Sequence, residues 1–520
     1  MENNQSSLNE KLKYLQIEKR TIIFLSIICI IGIIIRFNYV PYGIPVNFDA
    51  FLGYFLYALD ISILGNLPNY TLSQSGWSEF LSLFFMNFHS ENLIEYMNLQ
   101  RTISIILSGI TVIPIYFICK KFFSNYYSLI GAGIFAVEPR IIINSTLGVS
   151  EPLYIIVISL GILLFLNFNK KIIYLSFGFF GWATIIRPEG QFWFVAFSII
   201  YFLRFRKNRK DLMMFLICLS VFLLVLSPIV IHRIQCCEDD AIIGRILIEL
   251  KNYENNINEA DSQTNLISYG PDFDNGVKLL VWGIIPTFII LVPLGLIPII
   301  KQIKFPEYVL IIIPGILAIP IIYSLSIAPD TRYLFPIYPI LIIISLFGIK
   351  WIVNNFNNKK LAISIIISVI FLSSMIFLDF NKNDYSDDKE AYEISKLLIT
   401  DVNGVNKSSK VVEFFKVSEI EKKWPILEYN GRLSKSFKIN KIQENEFNNL
   451  EEFIVFGKNE GLSHLIIDES ESLPKYMRDI ILNEKKYQYL IKEFDSTETD
   501  FTYNVKKYKI NYEIFDKLQE

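Results

Sequence analysis

Cysteine and histidine are scarce: 520 residues hold five cysteines and three histidines. Five scattered thiols make no disulfide framework, and no CxxC accompanies the vicinal Cys236-Cys237 pair. Cys29, Cys119 and Cys218 lie in or beside apolar runs and read as inert packing residues. The vicinal pair sits in a polar loop, where a redox or metal role stands beside plain loop packing. His89, His232 and His464 are too dispersed for a zinc site. A basic surplus is also missing, with 49 Lys and Arg against 51 Asp and Glu. The pooled balance is uninformative by itself, since the polar tail and the apolar part differ, and nothing else in the sequence supports nucleic acid binding. The polar tail from Asn381 lacks a Gly-rich phosphate loop, metal-ligand spacing and a nucleophile elbow.

What the chain has is apolar length. Hydrophobic residues make up 52%, in Ile/Leu/Phe runs from Thr21 to Phe380. A helix of roughly 20 apolar residues crosses a bilayer core of about 30 Å. Such segments fall at 21–37, 101–119, 128–143, 151–168, 172–186, 190–203, 212–231, 279–300, 308–325, 336–352 and 361–380. The fifth and sixth, split by Arg187-Pro188-Glu189-Gly190, read as two helices rather than one broken one. The expectation is a polytopic α-helical membrane protein with about eleven transmembrane helices. Residues 1–20 form a cytoplasmic leader before a signal anchor, and 21–380 form the membrane domain. Residues 381–520 alternate helix and strand and form a small soluble α/β domain. Expected strands there include Val411 to Val417, His464 to Ile467, Tyr489 to Phe494 and Val505 to Ile510.

Lys and Arg set the orientation. Lys11 to Arg20, Lys120-Lys121, Lys170-Lys171, Arg204 to Lys210, Lys301 with Lys304, and Lys359-Lys360 share one side if eleven spans alternate. That side is the cytoplasm, so the amino terminus is inside and the tail is extracytoplasmic. The outer face carries a first loop at 38–100 and a second large loop at 232–278. Its basic residues are few and nearly all arginine: Arg36, Arg101, Arg140, Arg187, Arg233, Arg245, Lys251 and Arg332. An Arg fork matches phosphate oxygens, so an anionic ligand is one reason for them. Snorkelling to headgroups, or pairing with Glu138, Glu151 and Glu189, is the other.

In the first loop, the Asp49–Asp60 stretch and the one opening at Gly76-Trp77 show amphipathic patterning suited to the membrane surface. Asp49 follows the first span. A carboxylate there can accept a proton from an attacking hydroxyl, or it can simply cap the helix that follows.

The ordered pieces Asn47-Phe48-Asp49, Gln100-Arg101, Ser150-Glu151-Pro152-Leu153-Tyr154, Ile186-Arg187-Pro188-Glu189-Gly190 and Thr331-Arg332-Tyr333-Leu334-Phe335-Pro336-Ile337-Tyr338-Pro339 carry a resemblance. Together they resemble the C-type glycosyltransferase superfamily, in the branch of protein O-mannosyltransferases and aminoarabinose transferases. The resemblance implies inverting transfer of a hexosyl or pentosyl group from a polyprenyl (dolichyl-type) phosphate carrier to an acceptor hydroxyl at the outer face. It implies Asp49 as general base, although Ala50 stands where many relatives carry a second acid. Arg332, Arg187, Arg140 and Tyr333 would hold the donor phosphate, whose growing charge needs fixed cations. Glu151 and Glu189 would orient those arginines or bind sugar hydroxyls, and His89 lies in the same outer loop. The acceptor would be a protein, a lipid or a glycan, with membrane lipids as surroundings.

No cofactor is required by this reading. Asp272-Phe-Asp274 and Glu238-Asp239-Asp240 would be the candidates for Mg or Mn, and solvated loop acids explain them as simply. Sequons at Asn69, Asn144 and Asn406 permit N-glycosylation. The Trp-Trp-Asp-Tyr-Gly motif of oligosaccharyltransferases is absent, which speaks against transfer of whole glycans to Asn. The rival classes are a transporter or flippase for carrier-linked sugars, and a non-catalytic membrane scaffold. A transporter predicts charged or broken spans at the midplane and an internal repeat, whereas the polar groups here gather at one face.

Overall fold

The computed structural model describes residues 19–70, 72, 74–167, 172–205, 209–237, 273–301, 309–327, 330–407, 411, 414, 417–418, 440–468 and 473–519. They divide into two units. The first comprises Met1–Val40, Asn69–Phe80 and Gln100–Lys382, and the second Pro41–Pro68, Leu81–Leu99 and Asn383–Glu520.

In the first unit, every apolar segment of the sequence holds a helix. Among the described residues, six helices are long and apolar enough to cross a membrane: Lys19–Phe37, Leu93–Cys119, Arg209–Cys236, Val309–Ser326, Thr331–Asn354 and Lys359–Phe380. Two further pairs qualify if each is one bent span. Asn125–Val137 and Pro139–Ser145 bend by 51°, and Asp274–Gly283 and Phe288–Lys301 by 90°. Pro139 causes the first bend, because a residue before proline is driven out of the helical region, and Glu138 sits at φ −61°, ψ 114°. Shorter apolar helices run Glu151–Leu166, Ile173–Ile186 and Gly190–Phe205. Ile23, Phe24, Leu224, Ile319, Ile376 and others of these helices are exposed. Water would penalise such a surface and lipid does not, so the chain is a polytopic helical membrane protein.

Between apolar helices, lipid removes the hydrophobic drive to associate, and close backbone approach takes over. The Phe288–Lys301 and Tyr338–Asn354 helices meet at Gly295 and Gly348. A Cβ on Gly295 would lie 1.9 Å from the Ile344 carbonyl oxygen, and one on Gly348 2.6 Å from that of Leu291. Glycine is what lets these two backbones touch.

In the second unit, β1 (Gly404–Asn406) pairs in parallel with β2 (Asn440–Ile442). β3 (His464–Asp468), β4 (Leu490–Asp495) and β5 (Val505–Ile510) form an antiparallel sheet in the order β3-β5-β4. Most of the expected Val411 to Val417 strand lies outside the described residues. β3 is buried at every position, and the Leu450–Asn459 helix contributes Phe453 and Ile454 to the same core as Leu465 and Ile467. The Asn406 side chain both donates to and accepts from the Ile466 backbone at 2.8 Å. That buried sequon, like Asn144 in its helix, offers no accessible amide for glycosylation.

The first-loop helix differs from expectation. Phe48–Ala50, a π-helical turn at Phe51–Phe55 and Leu56–Leu64 run on without a break. Leu56, Tyr57, Ala58, Leu59, Asp60 and Ile61 are all buried. Six consecutive buried residues cover every side of a 3.6-residue turn, so this helix does not lie on a surface with one face outward.

Candidate active site

Three segments of the first unit bring charged side chains together. The Ile173–Ile186 helix stops because Pro188 forces Arg187 into extended backbone at φ −148°, ψ 134°. The turn closes through the Gly190 N–H, which donates to the Arg187 carbonyl at 2.9 Å. A Cβ on Gly190 would lie 2.4 Å from the Thr184 nitrogen, so only glycine allows so tight a return. Arg187 thereby stands at a helix C-terminus and Glu151 at the start of the Glu151–Leu166 helix. Each charge has the sign its helix end favours. The loop before Glu151 is pinned by its Gly148 carbonyl, which accepts from Trp77 Nε1 at 3.0 Å and Gln100 Nε2 at 2.6 Å.

Glu151 is the hub. Its Oε1 lies 2.5 Å from Arg187 Nη1 and 3.9 Å from Arg332 Nε. Glu189 Oε2 lies 3.3 Å from Arg187 Nε. Arg332 opens a 3-10 turn, Thr331–Ile337, capped by Asp330: its carboxylate accepts from the Arg332 backbone N–H at 2.9 Å and also from Arg332 Nε. The Arg187 guanidinium stands over the Tyr333 ring, 5.4 Å from its centroid. The Arg187 and Glu151 side chains are 8% and 1% exposed, while Arg332 is 25% exposed and so open to a ligand. Two guanidiniums face three carboxylates, a formal excess of one negative charge, so this is a mixed-charge cluster rather than an open cationic cradle.

The sequence-predicted residues Glu151, Arg187, Glu189, Arg332 and Tyr333 thus stand together. Arg140 has other partners. It donates to the carbonyls of Ile285 at 3.1 Å and Trp282 at 2.6 Å, between the Trp282 and Phe377 rings. Arg36 is wholly buried and donates to Ser108 Oγ and to the Gly32 and Ala136 carbonyls, joining three helices. Arg233 donates to the Leu72 carbonyl. These hydrogen bonds of the three arginines go to carbonyls and a hydroxyl, while the Glu138 carboxylate still attracts Arg140 and that of Glu79 attracts Arg233 through space.

In the second unit, Asp49 lies exposed in the first helical turn. The cap is Asn47: its Oδ1 accepts from the Ala50 N–H and its backbone carbonyl from the Phe51 N–H, both at 2.9 Å. Capping therefore does not account for the acid at position 49. His89 is exposed in the same unit. Asp274 is exposed at the start of its helix, and Asp272 and Glu238 to Asp240 lie outside the described residues. Among the described residues no group of three His, Cys, Asp or Glu is placed to hold a metal ion.

Two residues of the site were not predicted as functional. Asp330 had a signal, since an Asp before a turn commonly caps it. Tyr154 had its place in the Ser150-Glu151-Pro152-Leu153-Tyr154 piece, one helical turn after Glu151.

No protein-family model and no curated protein matches the chain. Solved structures share its architecture. The apo oligosaccharyltransferase of Archaeoglobus fulgidus aligns over 86% of this chain and 69% of its own, with a TM-score of 0.58 and 10% identity. The Archaeoglobus fulgidus oligosaccharyltransferase AglB in complex with an inhibitory peptide and a dolichol-phosphate aligns over 93% and 74%, at 0.56 and 12%. ArnT from Cupriavidus metallidurans, bound to undecaprenyl phosphate, aligns over 94% and 97%, at 0.56 and 11%. With about one residue in ten identical over nearly the whole length, the chain has the fold of the C-type glycosyltransferases.

Proposed function

We propose that the protein is a membrane glycosyltransferase that moves a sugar from a polyprenyl-phosphate carrier to an acceptor hydroxyl. The observation that carries this reading is the Glu151-bridged pair of Arg187 and Arg332 within a fold shared with AglB and ArnT, whose structures contain dolichol-phosphate and undecaprenyl phosphate. In the reaction, the acceptor oxygen attacks the anomeric carbon and its proton passes to the Asp49 carboxylate. The bond from that carbon to the phosphate oxygen breaks, its electron pair stays on the carrier phosphate, and the sugar inverts. Arg332 meets the developing phosphate charge, and Arg187 supports it from behind, held by Glu151 and Glu189. No residue need hold a metal in this scheme.

The membrane topology belongs to the same reading. The six long helices, two bent pairs and the shorter Glu151–Leu166, Ile173–Ile186 and Gly190–Phe205 helices correspond to the eleven apolar segments. Lys and Arg distribution then puts the amino terminus in the cytoplasm, and the candidate site and tail outside. A donor tethered to a lipid enters from the bilayer side.

The test is Asp49→Asn in protein purified with a panel of polyprenyl-phosphate sugars, following release of carrier phosphate. Loss of a general base lowers the rate by roughly 10²–10⁴. A correctly inserted variant that transfers sugar at the wild-type rate removes Asp49 from the mechanism.

A further inference from the structure

Beside the charged cluster lies a pocket lined by Tyr154, Glu189, Phe192, Trp193, Tyr333 and Ile337, among others. All of these residues belong to the first unit. About 330 Å³ of empty space opens from it, but the room for a water-sized group is only about 20 Å³. A site of that size holds about one water or one hydroxyl. Apart from Tyr154, Glu189 and Ser324, the walls are aromatic and aliphatic.

Tyr154 sets the chemistry of this pocket. It is completely buried, and its hydroxyl has no hydrogen-bond partner among the described residues. The Trp193 indole lies beside it without closing a bond of good geometry. A buried hydroxyl without a partner is costly, and a ligand that supplies one recovers the loss. Glu189, 28% exposed and tied to Arg187, adds an acceptor to the same pocket. A carboxylate in the wall disfavours a phosphate there and favours a group that donates a proton. Aromatic walls suit the C–H face of a sugar ring.

We propose that this pocket is the subsite for one ring hydroxyl of the donor's sugar, with Tyr154 reading that hydroxyl and Glu189 accepting from it. The inference rests on the donor-sugar reading above and deepens it: Tyr154 is a specificity-determining residue, separate from the groups that meet the phosphate.

The test uses the full-length protein in detergent micelles, with lipid binding followed by native mass spectrometry. The probes are undecaprenyl phosphate and undecaprenyl phosphate carrying glucose, mannose, galactose or arabinose. At least one sugar-bearing lipid should bind the wild type more tightly than the bare carrier. Tyr154→Phe should weaken that lipid about three- to tenfold, the worth of one neutral hydrogen bond, and leave the bare carrier unchanged. Its lipid-free thermal midpoint should not fall, because phenylalanine fills the same space and removes a partnerless group. If the variant keeps the wild-type ratio of sugar-bearing to bare carrier, the pocket holds only water and the subsite is wrong. A lowered midpoint would mark Tyr154 as structural and overturn the subsite equally. Sugar-bearing lipids that bind no better than the bare carrier also overturn the subsite, while leaving the donor reading standing. Absence of binding to every carrier lipid overturns the donor reading and the subsite together.

Discussion

Arg140 and Arg36 stand near the ends of apolar helices, as Arg187 and Arg332 do, yet the two pairs have different partners. The first pair gives its N–H groups to backbone carbonyls and a serine hydroxyl. The second pair faces Glu151, Glu189 and Asp330. A carbonyl accepts a bond but brings no net charge, so Arg140 and Arg36 act as rivets between helices. A carboxylate brings charge, holds the guanidinium in a fixed plane and tempers its field. Position in the sequence does not separate these pairs. Their partners do.

The sharpest way to break this comparison is Arg187→Ala. It leaves Glu151, 1% exposed, buried beside one distant guanidinium. Removing one partner of a buried pair costs about 3–5 kcal/mol, which unfolding of the micellar protein would measure. Adding Glu151→Ala should recover a large part of that stability without restoring transfer. If the double variant is as unstable as the single one, the pair is not the reason for the loss.

Arg332→Ala should act on rate instead. Its side chain is 25% exposed and its backbone turn keeps the Asp330 cap, so the fold should persist. Loss of one charge-stabilising donor lowers transfer by about 10²–10³. Arg140→Met is the counterpart. It leaves the Trp282 and Ile285 carbonyls without their donor, which costs about 1–3 kcal/mol. Transfer per folded molecule should fall far less than for Arg332→Ala, in the same carrier-phosphate assay. Equal losses of rate would erase the distinction.

The smallest effect expected is in the tail domain, where charge also pairs but near water. Burial pushes Asp495 up, yet bonds from Thr497 and Lys492 and the nearby Lys506 outweigh it and hold it far below the usual carboxylate range. Glu484 is held low mainly by its bond from Lys506, with Tyr508 donating too. Burial pushes His464 down, and Lys507 adds to it. Each group binds its proton less readily folded than unfolded. The stabilisation is therefore complete above the unfolded values, about 6.5 for histidine and about 4 for carboxylates, and is lost as pH falls through the lower folded ones. Hydrogen exchange at β4 and β5, corrected for intrinsic rates, should show protection easing first below about pH 6.5 and again in acid. Constant protection down to pH 4 would contradict the His464 contribution.

Much of the architecture is legible from apolar length alone. Each of the eleven segments holds a helix, and Arg187-Pro188-Glu189-Gly190 separates two of them because proline and glycine punctuate a helix locally. The first-loop helix shows where that reading stops. Phe51-Leu-Gly-Tyr-Phe-Leu-Tyr-Ala-Leu59 is apolar at nearly every position, and such a run fits burial all round better than one wet face. At Asp49 the neighbouring Asn47 competes for the cap, and only atomic geometry decides which side chain accepts the bond.

Sequence by itself determined that this chain lives in a membrane, which segments become its apolar helices, and which acids and arginines stand near their ends. Those features are one-dimensional, because hydrophobic length and helix punctuation act between close neighbours along the chain. Only the tertiary structure decided that Glu151 bridges two arginines from distant segments, that Arg140 and Arg36 are spent on carbonyls, and that the buried Tyr154 hydroxyl has no partner among the described residues. Those facts depend on which side chains meet across helices. Lipid offers no water to satisfy a mismatched polar group, so the partner supplied by packing sets the role of each charge.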